Sequence, residues 1–295
     1  MPPGPSAWRI RATCTAATID CRAVPGPQTT SVIVATRDRP QRLRACLELL
    51  RAQAADEVLV VDDGSRDEAA VAAAAREGGA RLVRQAPAGV ATARNTGVEH
   101  ARGDLLLFTD DDCVPADGWA VALSDGLRDG ADVVAGPVHA GRPERAVDVA
   151  WQLISDRLVD GSYLLGGNFG ARSTALADVP FDARFDGVGA EDRDWWQRVR
   201  NRGLRVDFVP EASIDHEPDL GLMRFARKQV RYGRGAYRFR ARHHRGRTGS
   251  PGFYGALLRD AAREGPGVAA LVILAQAATA AGFAAEAVTA WASPR

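Results

Sequence analysis

Between Thr30 and Asp112, short β-branched runs alternate with helical stretches, and this alternation constrains the fold more than any other feature of the chain. "SVIVAT" (Ser31 to Thr36) is continuously apolar, as a strand covered on both faces requires. "QRLRACLELLRAQ" then places Leu43, Cys46, Leu47 and Leu50 on one helical face. "EVLVV" (Glu57 to Val61) is a second strand. "DEAAVAAAAREGG" is an alanine-rich helix closed by Gly78 and Gly79. "RLVR" (Arg81 to Arg84), a helix from Ala91 to Ala101 and a strand from Asp104 to Thr109 complete the series. Such alternation predicts an α/β fold, a mostly parallel sheet flanked by helices. Ligands of these sheets bind beyond the carboxyl ends of the strands, which puts Arg37, Asp63 and the run Asp110, Asp111, Asp112 along one edge.

A second half reads as a helix near Asp117 to Arg128, the strand "DVVAG", a helical stretch near Trp151, the segment "GSYLLGGNFGARS", the helix "EDRDWWQRVRNRG" and the strand "LRVDFVP". The expected organisation is a mobile leader over 1–28 and an α/β domain over 29–216, in two halves of 29–113 and 114–216; a basic and then apolar helical region follows over 217–295. The 38 Lys and Arg nearly balance the 37 Asp and Glu, so the molecule as a whole has no charge that would draw it to nucleic acid. Four cysteines without a CxxC pair suggest neither a zinc site nor a disulfide framework and fit a reducing, cytoplasmic compartment.

Three consecutive carboxylates at the end of a buried strand need a physical reason. Side chains alternate along extended chain, so Asp110 and Asp112 share a face and Asp111 points away. Two carboxylates so close repel each other unless a cation compensates, and Mg²⁺ or Mn²⁺ does so while filling its other positions with water and phosphate oxygens. The plainer structural reading is a solvated loop with Asp117 capping the next helix. At "VVDDGSRDE", Asp67 is placed as a helix cap, whereas Asp63 at a strand end can accept hydrogen bonds from a nucleobase.

Taken together, "SVIVATRDRP", "EVLVVDDGSRDE", "GVATARNTGVEHARGDLLLFTDDDCVP", "GGNFGARSTAL" and "GAEDRDWW" resemble, in order and spacing, the family 2 glycosyltransferases, which have a GT-A fold. The resemblance covers about Thr30 to His216 and implies that 29–216 is a catalytic domain, with 29–113 its nucleotide-binding half and 114–216 its acceptor half. It implies that Ala35, Arg37 and Asp63 line the base and ribose of a nucleotide-sugar donor. It makes Asp110 to Asp112 the DxD-type motif, with Asp112 a metal ligand and Asp110 or Asp111 facing ribose or metal-bound water. Arg94 and Asn95 would approach the nucleotide or the aspartate loop, or else stabilise the fold. Gly167 and Asn168 would lie on the donor-sugar or acceptor side. Trp151 and Tyr163 could stack on a sugar ring, but an aromatic near an apolar stretch is more often core. His216 would complete the metal site together with Asp112 and Asp110. Asp192 would be the catalytic base with Glu191 as its hydrogen-bonding neighbour, although acids at a helix N-terminus are also favoured by the helix dipole alone.

The implied activity is an inverting, metal-dependent transfer of a sugar to a hydroxyl of a glycan, a lipid-linked or a small-molecule acceptor. The QxxRW motif of processive members is missing, since "QRVRNRG" carries no such tryptophan, and polymer synthesis is not expected. Two other readings stand beside this one: a sugar-phosphate nucleotidyltransferase, whose glycine-rich loop is not found in "ATRDRP", and an idle nucleotide-sugar-binding scaffold. Between Arg224 and Arg247 there are ten Lys or Arg and no acid, read as a basic helix interrupted by Gly233 and Gly235. Pro266 to Ala285 carries no charge, consistent with a packed helix, a surface anchor or a span. Peripheral membrane contact through 224–292 is the resulting expectation.

Overall fold

The computed structural model describes residues 28–142, 144–158, 166–217, 221–243 and 251–292. The leader and Tyr163 lie outside the described residues. In the first half, β1 (Thr30–Thr36), α1 (Pro40–Leu50), β2 (Glu57–Asp62), α2 (Glu68–Glu77), β3 (Arg81–Arg84), α3 (Val90–His100) and β4 (Leu105–Asp110) follow one another as the alternation requires. The chain goes on through β5 (Cys113–Pro115), α4 (Trp119–Arg128), β6 (Val133–Ala135), β7 (Val138–Ala140), α5 (Ala146–Leu158) and β8 (Asn168–Arg172). It then forms α6 (Ser173–Asp178), α7 (Glu191–Asn201), β9 (Val206–Phe208), β10 (Ile214–His216), α8 (Leu222–His243), α9 (Pro251–Arg263) and α10 (Pro266–Ala292).

Among the described residues, seven strands make a sheet in the order β3-β2-β1-β4-β8-β6-β9. Its pairs are parallel except where β8 runs against β4 and β6. Period-two alternation sorts the core. Val32, Val34, Leu105 and Leu107 face α1, α2 and α4, while Ile33, Leu106 and Phe108 face α3 and α7. The first face takes Leu43, Cys46, Leu47 and Leu50 of α1, the four positions that the helical spacing selects. The second is aromatic: Phe169 stacks on Phe108 at 4.5 Å and Phe181 on Trp195 at 5.0 Å.

A small second sheet, β5-β10-β7, sits at the carboxyl end of the large one. Its register sets His216 opposite Cys113, and Glu217 donates its N–H to the Asp112 carbonyl at 2.8 Å. This sheet carries the chain from the aspartates to His216.

Two local expectations need correction. Asp117 does not cap α4: the helix starts at Trp119 behind Gly118, whose φ of +74° suits glycine. Nor do Gly233 and Gly235 interrupt the basic helix, which runs unbroken from Leu222 to His243. These glycines are contact points. A Cβ at Gly233 would lie 1.9 Å from the Thr279 carbonyl oxygen, and one at Gly235 would lie 2.2 Å from that of Gly189. With Gly282 set in the same way against the Val230 carbonyl, α8 and α10 approach backbone to backbone.

Candidate functional site

The site is assembled at the carboxyl ends of β1, β2 and β4. Ala35 of β1 is in register with Asp110 of β4, and Thr36 with Asp62 of β2. Beyond Asp110 the three carboxylates separate. Asp111 turns back onto β1, accepting from Thr36 Oγ1 at 2.7 Å and from Arg39 Nη1 at 2.7 Å. Burial pushes its pKa up to about 6, against the opposing pull of the Arg39 charge and the Thr36 hydroxyl. Asp110 and Asp112 remain on the other side. One ligand atom each from Asp110, Asp112 and Cys113 lies within 4.8 Å of the others.

Two arginines that the sequence did not single out close over this group. Arg39, the residue before Pro40 at the start of α1, also reaches Asp112 at 3.2 Å, and Arg42 reaches Asp112 at 3.5 Å. Their signal was present in "RDRPQR", a basic cluster at the exit of a strand whose neighbour ends in acids.

The residues present suit a divalent cation. His216 Nε2 stands 3.5 Å from Asp112 Oδ1. Burial first, and then the Lys228 charge, lower the imidazole pKa to about 3, so the ring is neutral and has a lone pair to offer. Its Nδ1 is buried with no partner, while Trp151 packs on the ring at 4.8 Å. Trp151 is thus core behind His216, only 6% exposed, rather than a platform for a sugar. Burial holds the Cys113 thiol well above its ordinary pKa, so it is no thiolate ligand.

Arg94 of α3 joins this cluster to the second acidic pair. Buried at 3% exposure, it reaches Asp110 Oδ1 and Glu191 Oε1, each at 3.3 Å, and donates to the Gly166 carbonyl at 2.9 Å. Gly166 and Gly167 are needed for close approach. A Cβ on Gly166 would lie 3.0 Å from both Arg94 Nη1 and Asp192 Cβ, and one on Gly167 would lie 3.0 Å from Asp110 Oδ2.

Glu191 and Asp192 open α7 immediately after Ala190, a non-glycine residue at φ +71°. Such a conformation costs about 1–2 kcal/mol and is held here by the glycine-rich turn before it. Asp192 accepts from Gly166 N at 3.0 Å and from Arg193 N at 2.7 Å. Burial raises both carboxyl pKa values. For Glu191, carried to about 7, the Asp192 charge adds to the rise and Arg94 opposes it.

Asp194, the third acid of the same turn, was not legible as anything but a first-turn charge. It is fully buried, and Arg198 reaches its Oδ2 at 2.7 Å. The end of α8 supplies its other partners, with Arg242 Nε at 3.0 Å and His243 Nε2 at 2.9 Å from Oδ1.

Asp63 lies at the same sheet edge with Arg37 3.6 Å away, but its carboxylate already binds Gln85, Ala88 N and Gly89 N and so latches the 85–89 loop. The structure does not bring Asn95 and Asn168 to the opening. Asn95 exchanges two hydrogen bonds with the Phe181 backbone. Asn168, with no exposure, is consumed by Trp119 Nε1 and the carbonyls of Pro137 and Ala212.

Against known proteins, residues 31–164 match the model of Glycosyl transferase family 2. The chain is 27% identical over 223 residues to Glycosyltransferase AglE of Haloferax volcanii, covering 70% of this chain and 72% of that protein. It is 38% identical over 130 residues to an undecaprenyl-phosphate 4-deoxy-4-formamido-L-arabinose transferase of Pseudomonas aeruginosa, over 41% of this chain but 36% of that one. The matched stretch is about half or less of several other curated relatives as well. Among solved structures, the mannosyltransferase PcManGT of Pyrobaculum calidifontis, in complex with GDP-Man and Mn²⁺, superposes with a TM-score of 0.56 at 21% identity, over 91% of this chain and 76% of that one. That likeness bears on the fold, which is the GT-A fold of a mostly parallel sheet flanked by helices with a helical C-terminal extension.

Proposed function

We propose that the chain, whose residues 31–164 match the model of Glycosyl transferase family 2, is a member of that family and moves a sugar from a nucleoside-diphosphate sugar to an acceptor hydroxyl with inversion at the anomeric carbon. One observation supports this reading: Arg94 reaches Asp110 and Glu191 at 3.3 Å each, so a carboxylate cluster that could hold a metal and a pair of raised-pKa acids lie on either side of one guanidinium.

In this reading Ala35, Arg37 and Asp63 line the base and ribose. Asp110, Asp112 and His216 would hold Mg²⁺ or Mn²⁺; once bound, the ion supplies positive charge to the diphosphate that departs. Asp192 accepts the proton of the incoming hydroxyl, its carboxylate oriented by Gly166 N and Arg193 N. Glu191 tunes that base through charge, and Arg94 restrains both acids. Attack on the face opposite the departing diphosphate inverts the centre.

For the acceptor we favour a lipid-linked phosphate or glycan handled at a membrane surface on the cytoplasmic side. The relative acting on undecaprenyl phosphate supports this, as does the C-terminal surface. α10 is the one described helix long and apolar enough to cross a membrane, with a mean hydropathy of 1.9 over its most apolar window. Yet it lies along α8, α5 and α9, and its Glu286 is buried between Arg234 and Arg238 at 2.7 and 2.6 Å. Ile273, Val288 and Trp291 are exposed on it, as is Met223 on α8. An interfacial helix fits these facts better than a span.

The test is thermal stability and calorimetric binding of the full chain with UDP-, GDP- and dTDP-sugars, with and without Mn²⁺, beside Asp112→Ala. A metal-dependent response to one donor that the variant loses supports the reading; inverted product, read by the anomeric proton coupling, completes it. Nucleotide binding without transfer to any acceptor would favour the idle scaffold. Release of pyrophosphate from a nucleoside triphosphate and a sugar phosphate would favour the nucleotidyltransferase.

A further inference from the structure

Helix α8 packs against the start of α7, and one of its side chains is a cation that pairs with no carboxylate among the described residues. The course of the helix is fixed at both ends. Phe225 is fully buried in the cluster that contains Trp151, whose ring lies against His216. Ten residues on, about 15 Å along the helix, Gly235 meets the Gly189 carbonyl. Between them Tyr232 abuts Gly189, the would-be Cβ of which lies 3.2 Å from Tyr232 Cδ1. Residues 225, 228, 232 and 235 share a helical face by their spacing. That face runs from the packing behind His216 to the turn that delivers Glu191 and Asp192. Lys228 is its charged member.

The other cations at the opening are committed. Arg39 is divided between Asp111 and Asp112; Arg42 takes Asp112 and the Glu217 carbonyl; Arg94 takes Asp110, Glu191 and the Gly166 carbonyl. Lys228 makes no ion pair with any described residue. Its ammonium lies 5.8 Å from the Tyr232 ring centroid, and the residue is half-buried. An ammonium that no described carboxylate takes, on a face running from the packing behind His216 to the Glu191 turn, is a receptor for a phosphate oxygen.

We propose that Lys228 is a phosphate-binding residue of the site, engaging an anionic phosphate at the Asp112 and His216 side of the opening. The inference rests on the glycosyltransferase reading of that site. Two sources present the same chemistry: the diphosphate of the nucleotide donor, and a phosphate carried by the acceptor.

The experiment measures binding calorimetrically on the full chain in Mn²⁺ buffer, using wild type, Lys228→Met, which keeps the apolar stem on Tyr232, and Lys228→Arg, which keeps the charge. The probes are UDP, GDP, uridine, guanosine and geranyl phosphate in detergent, with thermal melting to verify folding. Loss of one charged hydrogen bond predicts weakening of about 10- to 100-fold in Lys228→Met, with a much smaller loss in Lys228→Arg. A loss on the nucleoside diphosphate, with nucleoside binding unmoved, assigns Lys228 to the donor. A loss on geranyl phosphate alone assigns it to an acceptor phosphate. Unchanged affinity for both classes in a folded Lys228→Met protein overturns the inference and leaves the function standing. A wild type that binds neither class overturns the proposed function and this inference with it.

Discussion

Arg94 Nη1 lies 3.3 Å from Glu191 Oε1, so a helix of the first half of the sheet grips the start of a helix that comes 97 residues later. The pair ties the two acid clusters into one electrostatic unit. A proton lost on one side is felt on the other.

That unit makes the pH profile diagnostic. The Glu191 pKa is raised from 4.5 to about 7, so the folded protein keeps a proton that the unfolded chain releases. Its stabilising contribution is complete below about pH 4.5 and is lost as pH rises through about 7. Relative to Glu191→Gln, wild type should therefore lose stability across that window in a pH series of urea melts. The rate profile of wild type should show an upper ionisation near 7 that Glu191→Gln lacks. An upper limb unchanged in the variant would take Glu191 out of the coupled pair.

Asp192→Asn preserves the acceptor oxygen that Gly166 N and Arg193 N can use but removes the base. The expected loss is about 10²- to 10⁴-fold in kcat with donor affinity little altered. Equal losses in kcat and in donor affinity would instead mark Asp192 as a binding group.

His216→Ala should weaken Mn²⁺ binding by about 10- to 100-fold, since a ligand ought to matter no less than an outer-shell partner. Mn²⁺ electron paramagnetic resonance titration reads this directly. If the ion binds as tightly as before, His216 belongs to the Trp151 packing alone.

A side chain cannot be placed between α8 and α10 without moving one of them. Gly282→Val puts a Cβ 1.9 Å from the Val230 carbonyl oxygen and should cost about 1–3 kcal/mol in urea unfolding. Gly255→Ala, in α9 with open space around it, should be neutral or gain about 0.5–1 kcal/mol. The two together distinguish a packing effect from a general intolerance of glycine replacement.

Trp291 is 88% exposed on the apolar α10 and Ile273 is 56% exposed. Changing both to Ser should cut co-sedimentation with phosphatidylglycerol vesicles by about tenfold or more, because each large apolar side chain contributes about 1.5–3 kcal/mol when fully buried. Sedimentation equal to that of wild type would remove α10 from the membrane contact.

What the sequence made legible follows the range of the interaction. The strands and α1 could be read because their signal is local: alternation in β1 and β4, and the spacing of Leu43, Cys46, Leu47 and Leu50. The separation of Asp111 from Asp110 and Asp112 was likewise contained in the alternation of an extended chain. Asn168 was not, because its partners Trp119, Pro137 and Ala212 are brought to it from three other segments. Gly233 and Gly235 looked like breaks because propensity describes a helix alone, whereas here α10 and the Gly189 turn require their lack of a side chain. Asp194 was hidden for the same reason, two of its three counter-charges lying nearly fifty residues away on α8.

Asp194 also limits how this protein can be recombined with its relatives. A chimera that exchanges the helical tail to change the acceptor would join at a seam after His216, which looks clean in one dimension. It would nevertheless strip Arg242 and His243 from a carboxylate that has no solvent exposure. A buried charge left with one partner in place of three costs several kcal/mol, and the cost falls on the helix that carries Asp192. The smallest graftable unit is therefore α7 together with α8, and a tail from another source needs its own cations at these two positions or a neutral residue at 194.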